Sequence, residues 1–488
     1  MSEVPHVIVC GAGLTGLTTA WQIRRSGIDV TVLEASDVVG GVMRTTHRDG
    51  YLVEQGPNSC MLTAELAALI EALELTPRLL RAAPQAQRRY IVRGGRALAV
   101  PASPFEMIRS PLFSVAAKLR VLAEPFIGRR TDVADESVAA FVRRRLGREP
   151  LTWAVDPFVS GVYAGDPEQL SVRHAFPRLA ALEREHGSLV RGMIAAARHN
   201  RASPPNAASS GGRHTMISFA DGMATLPLAL VDDIGQANIL RRSRVVAIAR
   251  DDDGMVVTVE RDGVRRTIRA DAVVSTLPLH AFTQITLDDA ADAARASLDA
   301  IAYPPVVSLA LGFRRADVAH PLDGFGCLVP SAENRRTLGV LFSSTLFEQR
   351  APEGHVLLTC FLGGARQADI AMLDVDALVD VVQPELAALL GVTGAPKFVE
   401  RTLWPQAIPQ YNVGHDAAAR AADAIEAIVP GLVVDGQFRR GVSVGDCVAS
   451  GSMIAARTLA LAQANADARV TQGERRPVHT PVSPAAVA

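Results

Sequence analysis

The apolar and polar positions change period several times along the chain. From residue 7 they read strand, glycine turn, helix, strand. Val7-Ile8-Val9-Cys10 is an apolar run, a glycine cluster follows, and a helical pattern from Leu14 to Arg25 closes at Gly27. Asp29-Val30-Thr31-Val32-Leu33 then forms a second strand. Between about Pro104 and Asn200 amphipathic helical stretches take over, among them Phe113–Leu122, Ser137–Leu146, His174–Glu185 and Leu189–Arg198. The Pro/Ser/Gly-rich stretch at 201–212 predicts a surface loop. Strand-like segments return at Arg244–Ala249, Met255–Glu260, Ala272–Thr276, Val306–Leu311, Gly339–Ser343 and His355–Phe361. The Asp251-Asp252-Asp253-Gly254 and Asp262-Gly263 turns make the first of these a β-meander. A last helix is predicted over Ser452–Ala466. Thr471 to Ala488, with proline and charge but no periodicity, predict disorder.

Length and composition narrow this picture. At about 100–200 residues per domain, 488 residues hold two to four domains and a large core. With 50 basic against 51 acidic residues and a net charge of −1, there is no electrostatic case for a nucleic-acid binder. Only Lys118 and Lys397 are lysines, so lysine-based covalent chemistry has two candidates. The five cysteines (Cys10, Cys60, Cys327, Cys360, Cys447) are scattered and odd in number, against a disulfide framework or thiolate metal site. His174, His186 and His199 miss the i, i+4 spacing of paired helix ligands, and no metal is expected. The opening residues read as a strand rather than a signal peptide. No apolar run approaches the roughly 18 residues of a spanning helix. The chain therefore reads as soluble or peripheral.

The chemistry starts at Gly11-Ala12-Gly13-Leu14-Thr15-Gly16. A lone GxGxxG is weak evidence, but here a strand precedes it, a helix follows, and Glu34-Ala35 ends the next strand. Gly11 permits the tight turn, Gly13 lets backbone approach a pyrophosphate, and Gly16 allows close helix–strand packing. Helix amides then face phosphates. The Glu34 carboxylate suits a ribose diol and repels a 2′-phosphate. A second glycine pair, Gly40-Gly41, followed by Val42 and Arg44, then Gly56-Pro57-Asn58-Ser59, suits the longer flavin dinucleotide.

The whole stretch from Gly11 to Thr45 resembles the N-terminal fingerprint of the amine-oxidase-like flavoprotein superfamily. Gly441-Val442-Ser443-Val444-Gly445-Asp446-Cys447, before a helix, resembles the C-terminal segment that closes its FAD site. Asp156-Pro157-Phe158-Val159-Ser160-Gly161-Val162-Tyr163-Ala164-Gly165-Asp166, Glu54 to Ser59, and Trp404 to Tyr411 with Gly414-His415 resemble the protoporphyrinogen oxidase family, in order and over nearly all of the chain.

The fold class implied is a multidomain α/β and α+β protein. A Rossmann-like FAD-binding domain comprises 1–85, 206–280 and 406–470. A mixed-sheet substrate domain comprises 86–100 and 281–405. A helical insert at 101–205 and a tail at 471–488 complete the chain. The activity implied is oxidation of a porphyrinogen to a porphyrin in two-electron steps through FAD. Dioxygen is the acceptor, hydrogen peroxide the by-product, and haem biosynthesis the setting. By motif position Arg89 matches an arginine that pairs with a substrate propionate, although from the residues alone a surface arginine reads as well. Phe325, Gly326 and Leu328 match an apolar wall over the substrate ring, with ordinary core packing as the other reading. Gly11 to Gly16, Glu34, Ala35, Gly41, Val42, Arg44, Gly56 to Ser59, Val246, Trp404, Val442, Ser443 and Val444 match flavin-contacting positions. No catalytic side chain beyond flavin N5 is implied, and the FAD is expected to be non-covalent.

The helical insert matches a part of the family associated with membranes, and Phe105, Met107, Ile108, Leu112 and Phe113 are expected on its exposed face. A cytoplasmic protein is implied, with peripheral membrane contact and a homodimer left open. Coproporphyrinogen III oxidation to coproporphyrin III is the nearest alternative activity. An amine oxidase of the same superfamily or a non-catalytic porphyrin-binding flavoprotein stand further off.

Overall fold

Alternation along the apolar strands gives the first layer. In the computed structural model, which describes residues 4–130, 134–202 and 215–472, His6–Cys10 and Asp29–Leu33 pair in parallel. Ile239–Leu240, Ala272–Ser275 and Leu432–Val434 complete a five-stranded parallel sheet, with His6–Cys10 at its centre between Asp29–Leu33 and Ala272–Ser275. Successive side chains point to opposite faces. Val7, Val9, Val30, Val32 and Val274 enter one core, while Ile8, Cys10, Leu33, Val273 and Val434 enter another. Burial on both faces explains the unbroken apolar runs. Helix Leu14–Arg25 lies on the first face. The antiparallel meander Arg244–Asp251, Gly254–Arg261, Val264–Ala270 and helices Asp289–Asp299 and Asp416–Ile428 cover the second.

The second layer is a seven-stranded mixed sheet. Its order is Phe398–Trp404, Val306–Arg314, His355–Gly363, Thr337–Leu341, Gly326–Leu328, Tyr90–Arg93, Arg96–Ala99. Helix Val375–Leu390 packs its Leu378, Val382, Leu386 and Leu390 against it. Among the described residues, the one parallel pairing in this sheet sets Cys327 beside Tyr90. That register brings together residues 237 positions apart.

The third part is helical, including Val115–Leu122, Val138–Arg145, Asp156–Tyr163, Pro177–His186 and Leu189–Ala202. Arg145 is fully buried, 3.2 Å from Glu124 and 3.3 Å from Glu183. Glu124 also accepts from Ser188 Oγ (2.5 Å) and the Leu189 amide (3.0 Å), so it caps the following helix as well as neutralising the arginine.

Several expectations are corrected. The His174–Glu185 pattern breaks at Phe176, because Pro177 lacks the amide that would continue the helix Val172–Ala175. The strand expected at Gly339–Ser343 is Thr337–Leu341, and Ser343 opens a helical turn. The last helix starts at Val444 rather than Ser452 and runs to Gln472, so Thr471 and Gln472 are helical; the tail from 473 lies outside the described residues. The loop expected at 201–212 begins as helix through Ala202 and otherwise lies outside them too. Leu112 is 1% exposed, its carbonyl held by Arg93, and Phe113 is half-buried. Phe105, Met107 and Ile108 are exposed as expected.

Candidate functional site: a dinucleotide cradle facing a cation-tipped wall

The glycine turn sits where the central strand ends, beside the strand-order reversal that marks ligand crevices in such sheets. Its glycines are glycine for different reasons. Gly11 holds φ +102°, a left-handed value that a side chain resists. A Cβ on Gly16 would lie 2.0 Å from the Gly11 carbonyl oxygen and 2.6 Å from Thr276 Oγ1, so its bareness serves packing. Gly13 is extended (φ −72°) and a Cβ there would meet nothing within 4 Å. No protein neighbour requires its bareness, which fits a group approaching from outside. Helix Leu14–Arg25 starts there without a side-chain cap or an acidic residue in its first turn. Its orphan amides are left for an anion. Ala12, Leu14 and Thr15 are buried behind the turn.

Glu34, expected at a ribose, stands beside the turn. Its carboxylate accepts from the Ala12 amide (2.9 Å) and the Ser36 amide (2.9 Å). A carboxylate has about four acceptor positions, so a diol can be added. Exposed Ala35 follows it. The Glu34 carbonyl accepts from the Ser243 amide (2.7 Å), drawing in the strand that carries Val246. There the meander register shifts between Val245 and Ala247, and the freed Val246 carbonyl accepts from Thr286 (2.9 Å). Bulges of this kind re-aim side chains beside sites. Val246 is half-buried at it.

The second glycine pair closes over the first. Gly40 bridges to Gly13, and a Cβ on Gly41 would lie 3.3 Å from the Gly13 Cα. Arg44 Nε donates to the Gly41 carbonyl (2.9 Å), and its guanidinium stands 5.6 Å over the Trp404 ring. Trp404 Nε1 donates to the Gln55 carbonyl (2.7 Å), fastening the large sheet beside Gly56. A Cβ on Gly56 would strike the Val42 carbonyl oxygen at 2.1 Å. Val42 is exposed, and Pro57, Asn58 and Ser59 are half-buried; the Asn58 amide turns back to the Gly56 carbonyl (3.2 Å).

The far end of the chain arrives at the same place. Ser443 Oγ accepts from the Asp446 amide (3.1 Å), and the Asp446 carboxylate accepts from the Ser443 amide (3.1 Å), a reciprocal capping box. Gly451 packs on Thr18, where a Cβ would come within 2.6 Å, and Thr19 Oγ1 donates to the Gly451 carbonyl (3.3 Å). Val444 is buried in this core, Val442 is half-buried, and Ser443 is exposed. Tyr411 stands behind the turn, its hydroxyl accepting from the Gly441 amide (2.9 Å) and donating to the Gln437 carbonyl. His415 Nε2 reaches the Phe438 carbonyl at 2.6 Å.

The residues expected at the substrate meet on the large sheet. Exposed Arg89 holds its guanidinium 5.5 Å over the Phe325 ring. Gly326 needs φ +150°, and a Cβ there would strike the Val340 oxygen at 2.2 Å. Half-buried Leu328 fills the space over Gly161, where a Cβ would come within 2.4 Å of its Cδ2. The helix Asp156–Tyr163 is thereby set against this wall. Asp156 accepts from Arg366 (2.6 Å) and the Ser331 amide (2.9 Å). Gln410 Nε2 donates to the Tyr163 carbonyl (2.9 Å). Asp156, Gln410 and Tyr411 were visible only as motif residues; these latching partners are 26 to 247 positions away and leave no local signal.

Burial shifts titratable groups beside the cradle. Burial pushes the Cys10 thiol up to about 12 and raises Cys447 also. Burial lifts the Glu54 carboxyl to about 7, against hydrogen bonds from Thr45 Oγ1 (2.7 Å) and the Met223 amide (2.9 Å) and the charge of Arg350 at 3.8 Å.

The family model described as flavin containing amine oxidoreductase matches residues 14–459. The mitochondrial protoporphyrinogen oxidase of Nicotiana tabacum is 33% identical over 478 residues, covering 92% of this chain and 94% of the relative. The chain belongs to the protoporphyrinogen oxidase family. Within this family of flavin-dependent oxidoreductases, protoporphyrinogen oxidase 2 of Arabidopsis thaliana is also 33% identical, over 471 residues covering 91% of this chain and 92% of its own. A coproporphyrinogen III oxidase of Bacillus subtilis (strain 168) is 27% identical, covering 91% and 96%. In fold, the chain superposes on UDP-galactopyranose mutase with a TM-score of 0.71 at 16% identity, covering 98% of this chain and 99% of that one. The glycine cradle thus belongs to a flavin protein, and Gly13, open to the outside, fits the cofactor that the protoporphyrinogen oxidase family carries.

Proposed function

We propose that this chain oxidises protoporphyrinogen IX to protoporphyrin IX, using FAD held non-covalently and dioxygen as final acceptor, with release of hydrogen peroxide. The observation that carries the reading is Arg89 stacked 5.5 Å over Phe325, a cation at the lip of an apolar wall. A porphyrinogen has that character, an apolar ring fringed by carboxylates. FAD, when bound, supplies the N5 acceptor for hydrogen from the macrocycle. The chain's own work is positioning. Arg89 presents a planar fork that takes a propionate bidentately. Phe325 and Leu328 bear on the ring, and Gly326 lets its strand pack close against Val340. The uncapped helix at Gly13 would hold the pyrophosphate of FAD, and Glu34 would take the ribose hydroxyls. Protonated, buried Cys10 and Cys447 are poor nucleophiles, in keeping with a flavin that is not tethered.

The amine-oxidase reading lacks a lysine at the cradle. Lys118 donates to the Ile108 (2.8 Å) and Ser110 (2.9 Å) carbonyls of the helical part, and Lys397 precedes the strand Phe398–Trp404. The division into three domains follows the same reading. So does a cytoplasmic location with the helical insert against a membrane surface. Phe105, Ile108, Val115, Leu119, Leu122 and Phe126 are exposed there, Phe126 by 86%, beside Arg109. Among the described residues no helix is long and apolar enough to cross a membrane.

The test is a side-by-side rate comparison of protoporphyrinogen IX and coproporphyrinogen III with the flavin-loaded protein, recording porphyrin fluorescence and peroxide. A higher kcat/KM for protoporphyrinogen IX supports the reading. Reversed rates would move the activity to coproporphyrinogen, which the Bacillus subtilis relative's name describes.

A further inference from the structure

Arg89 is held in place by residues on either side of it. Arg88 forms an ion pair with one carboxylate oxygen of Asp323. The Tyr90 hydroxyl donates to the other at 2.7 Å. The backbones are tied at the same point, since the Phe325 amide donates to the Arg88 carbonyl (2.7 Å). The Arg89 carbonyl accepts from Val100 (2.8 Å), which fixes the third side. Gly324 makes the approach possible. A Cβ there would fall 2.7 Å from Tyr90 Cε2 and 2.8 Å from the Arg88 oxygen. Tyr90 is itself buried, with its ring edge-on to His320 at 5.3 Å. One carboxylate therefore bridges the two residues that flank Arg89 and sits two positions before Phe325, the ring over which Arg89 lies.

We infer that Asp323 is a positioning residue for substrate: with Arg88 and Tyr90 it forms a clip that holds the Arg89 guanidinium over Phe325, setting where a substrate carboxylate docks. This rests on the reading of Arg89 as a carboxylate-binding residue. The physical need is entropic. A free arginine side chain is rich in rotamers, and Arg89 is exposed on the lead-in to the strand Tyr90–Arg93. Fixing both neighbours and the facing ring removes part of that freedom before substrate arrives. The clip also neutralises Arg88, so Arg89 is left as the uncompensated cation among the two adjacent arginines. Asp323 touches neither ring nor flavin in this role. It acts through Arg89.

The test uses the flavin-loaded full chain and four proteins: unaltered, Asp323→Asn, Arg89→Ala and the double variant. KM and kcat for protoporphyrinogen IX are measured alongside flavin content and flavin absorbance. Asp323→Asn is expected to raise KM about threefold to tenfold with kcat changing less than twofold and the flavin spectrum unmoved. Asp323→Glu should recover part of the loss. In the Arg89→Ala background the same substitution is expected to add less than about twofold, because the residue it positions is gone. Full additivity of the two changes, or no change in KM for Asp323→Asn while Arg89→Ala raises it, overturns the clip and leaves the function standing. If Arg89→Ala itself leaves KM unchanged, the assignment of Arg89 fails and the clip falls with it. Should Asp323→Asn lose flavin or fold poorly, Tyr90→Phe and Arg88→Gln each remove one arm of the clip, and an unchanged KM in both overturns it.

Discussion

The two halves of the site are built by opposite means. The dinucleotide cradle is made of backbone: glycines at 11, 13, 16, 40 and 41, the amides of one helix start, and a single carboxylate at Glu34. The proposed substrate edge is made of side chains: Arg89 lies over the Phe325 ring and Leu328 fills the space over Gly161. A backbone cradle depends on spacing within some thirty residues. A side-chain edge depends on a strand register that joins residues 237 positions apart.

That contrast can be broken at several points. The largest effect belongs to the cradle glycines, and two of them should fail differently. Gly13→Val adds a side chain where no protein atom stands within 4 Å. The protein should fold yet lose flavin affinity by at least about a hundredfold, with visible absorbance and far-ultraviolet dichroism as the readouts. Gly16→Val drives a side chain into the Gly11 carbonyl and Thr276, so folded protein itself should be lost. If both variants fold and keep flavin, the cradle is misassigned.

Next in size is the substrate edge. Arg89→Ala should raise KM for a porphyrinogen by roughly thirtyfold, about 2 kcal/mol for a lost charge-assisted pair, while flavin content stays the same. Flavin loss on this change would place Arg89 in the cradle instead.

How much of this was legible follows the same divide. Helix Leu14–Arg25 and strand Asp29–Leu33 are readable to the residue, because local periodicity and a glycine stop determine them. Glu34 is readable from its distance to the turn. The last helix is expected from Ser452 but starts at Val444, because Gly445 and Gly451, which read as helix breakers, are there for packing on Thr63 and Thr18. The Ser443–Asp446 capping box was the available signal for Val444. Leu112 was expected to be exposed because an amphipathic pattern does not say which neighbour covers it. At the substrate edge only family resemblance singled out Arg89; its arginine-rich surroundings carry no periodicity that would. Asp323 was silent in sequence, for its role exists only through pairing.

Smaller, and between the two halves, is Glu54. Its carboxyl is raised by burial to about 7 from an unfolded value near 4.3. The folded state holds the proton more tightly, so this contribution to stability is fully present below about pH 4.3 and is lost as pH rises through about 7. Glu54→Gln should flatten that part of the Tm-against-pH curve by a few kelvin. An unchanged curve would show that Arg350 keeps the carboxylate ionised throughout. Asp323 behaves oppositely. The Tyr90 hydrogen bond, only partly countered by burial, and the Arg88 charge hold it below the usual carboxylate range. Its clip is lost only as pH falls through that lowered value, and KM should be flat between pH 6 and 9.

The central claim, that a flavin in this cradle takes hydrogen from a porphyrinogen at the Arg89–Phe325 edge, is tested most directly by anaerobic stopped-flow mixing of the flavin-loaded protein with protoporphyrinogen IX. The account predicts bleaching of the oxidised flavin band in step with substrate oxidation, and much slower bleaching in Arg89→Ala at subsaturating substrate. A flavin that stays oxidised with protoporphyrinogen IX and coproporphyrinogen III but bleaches with a simple amine would contradict it.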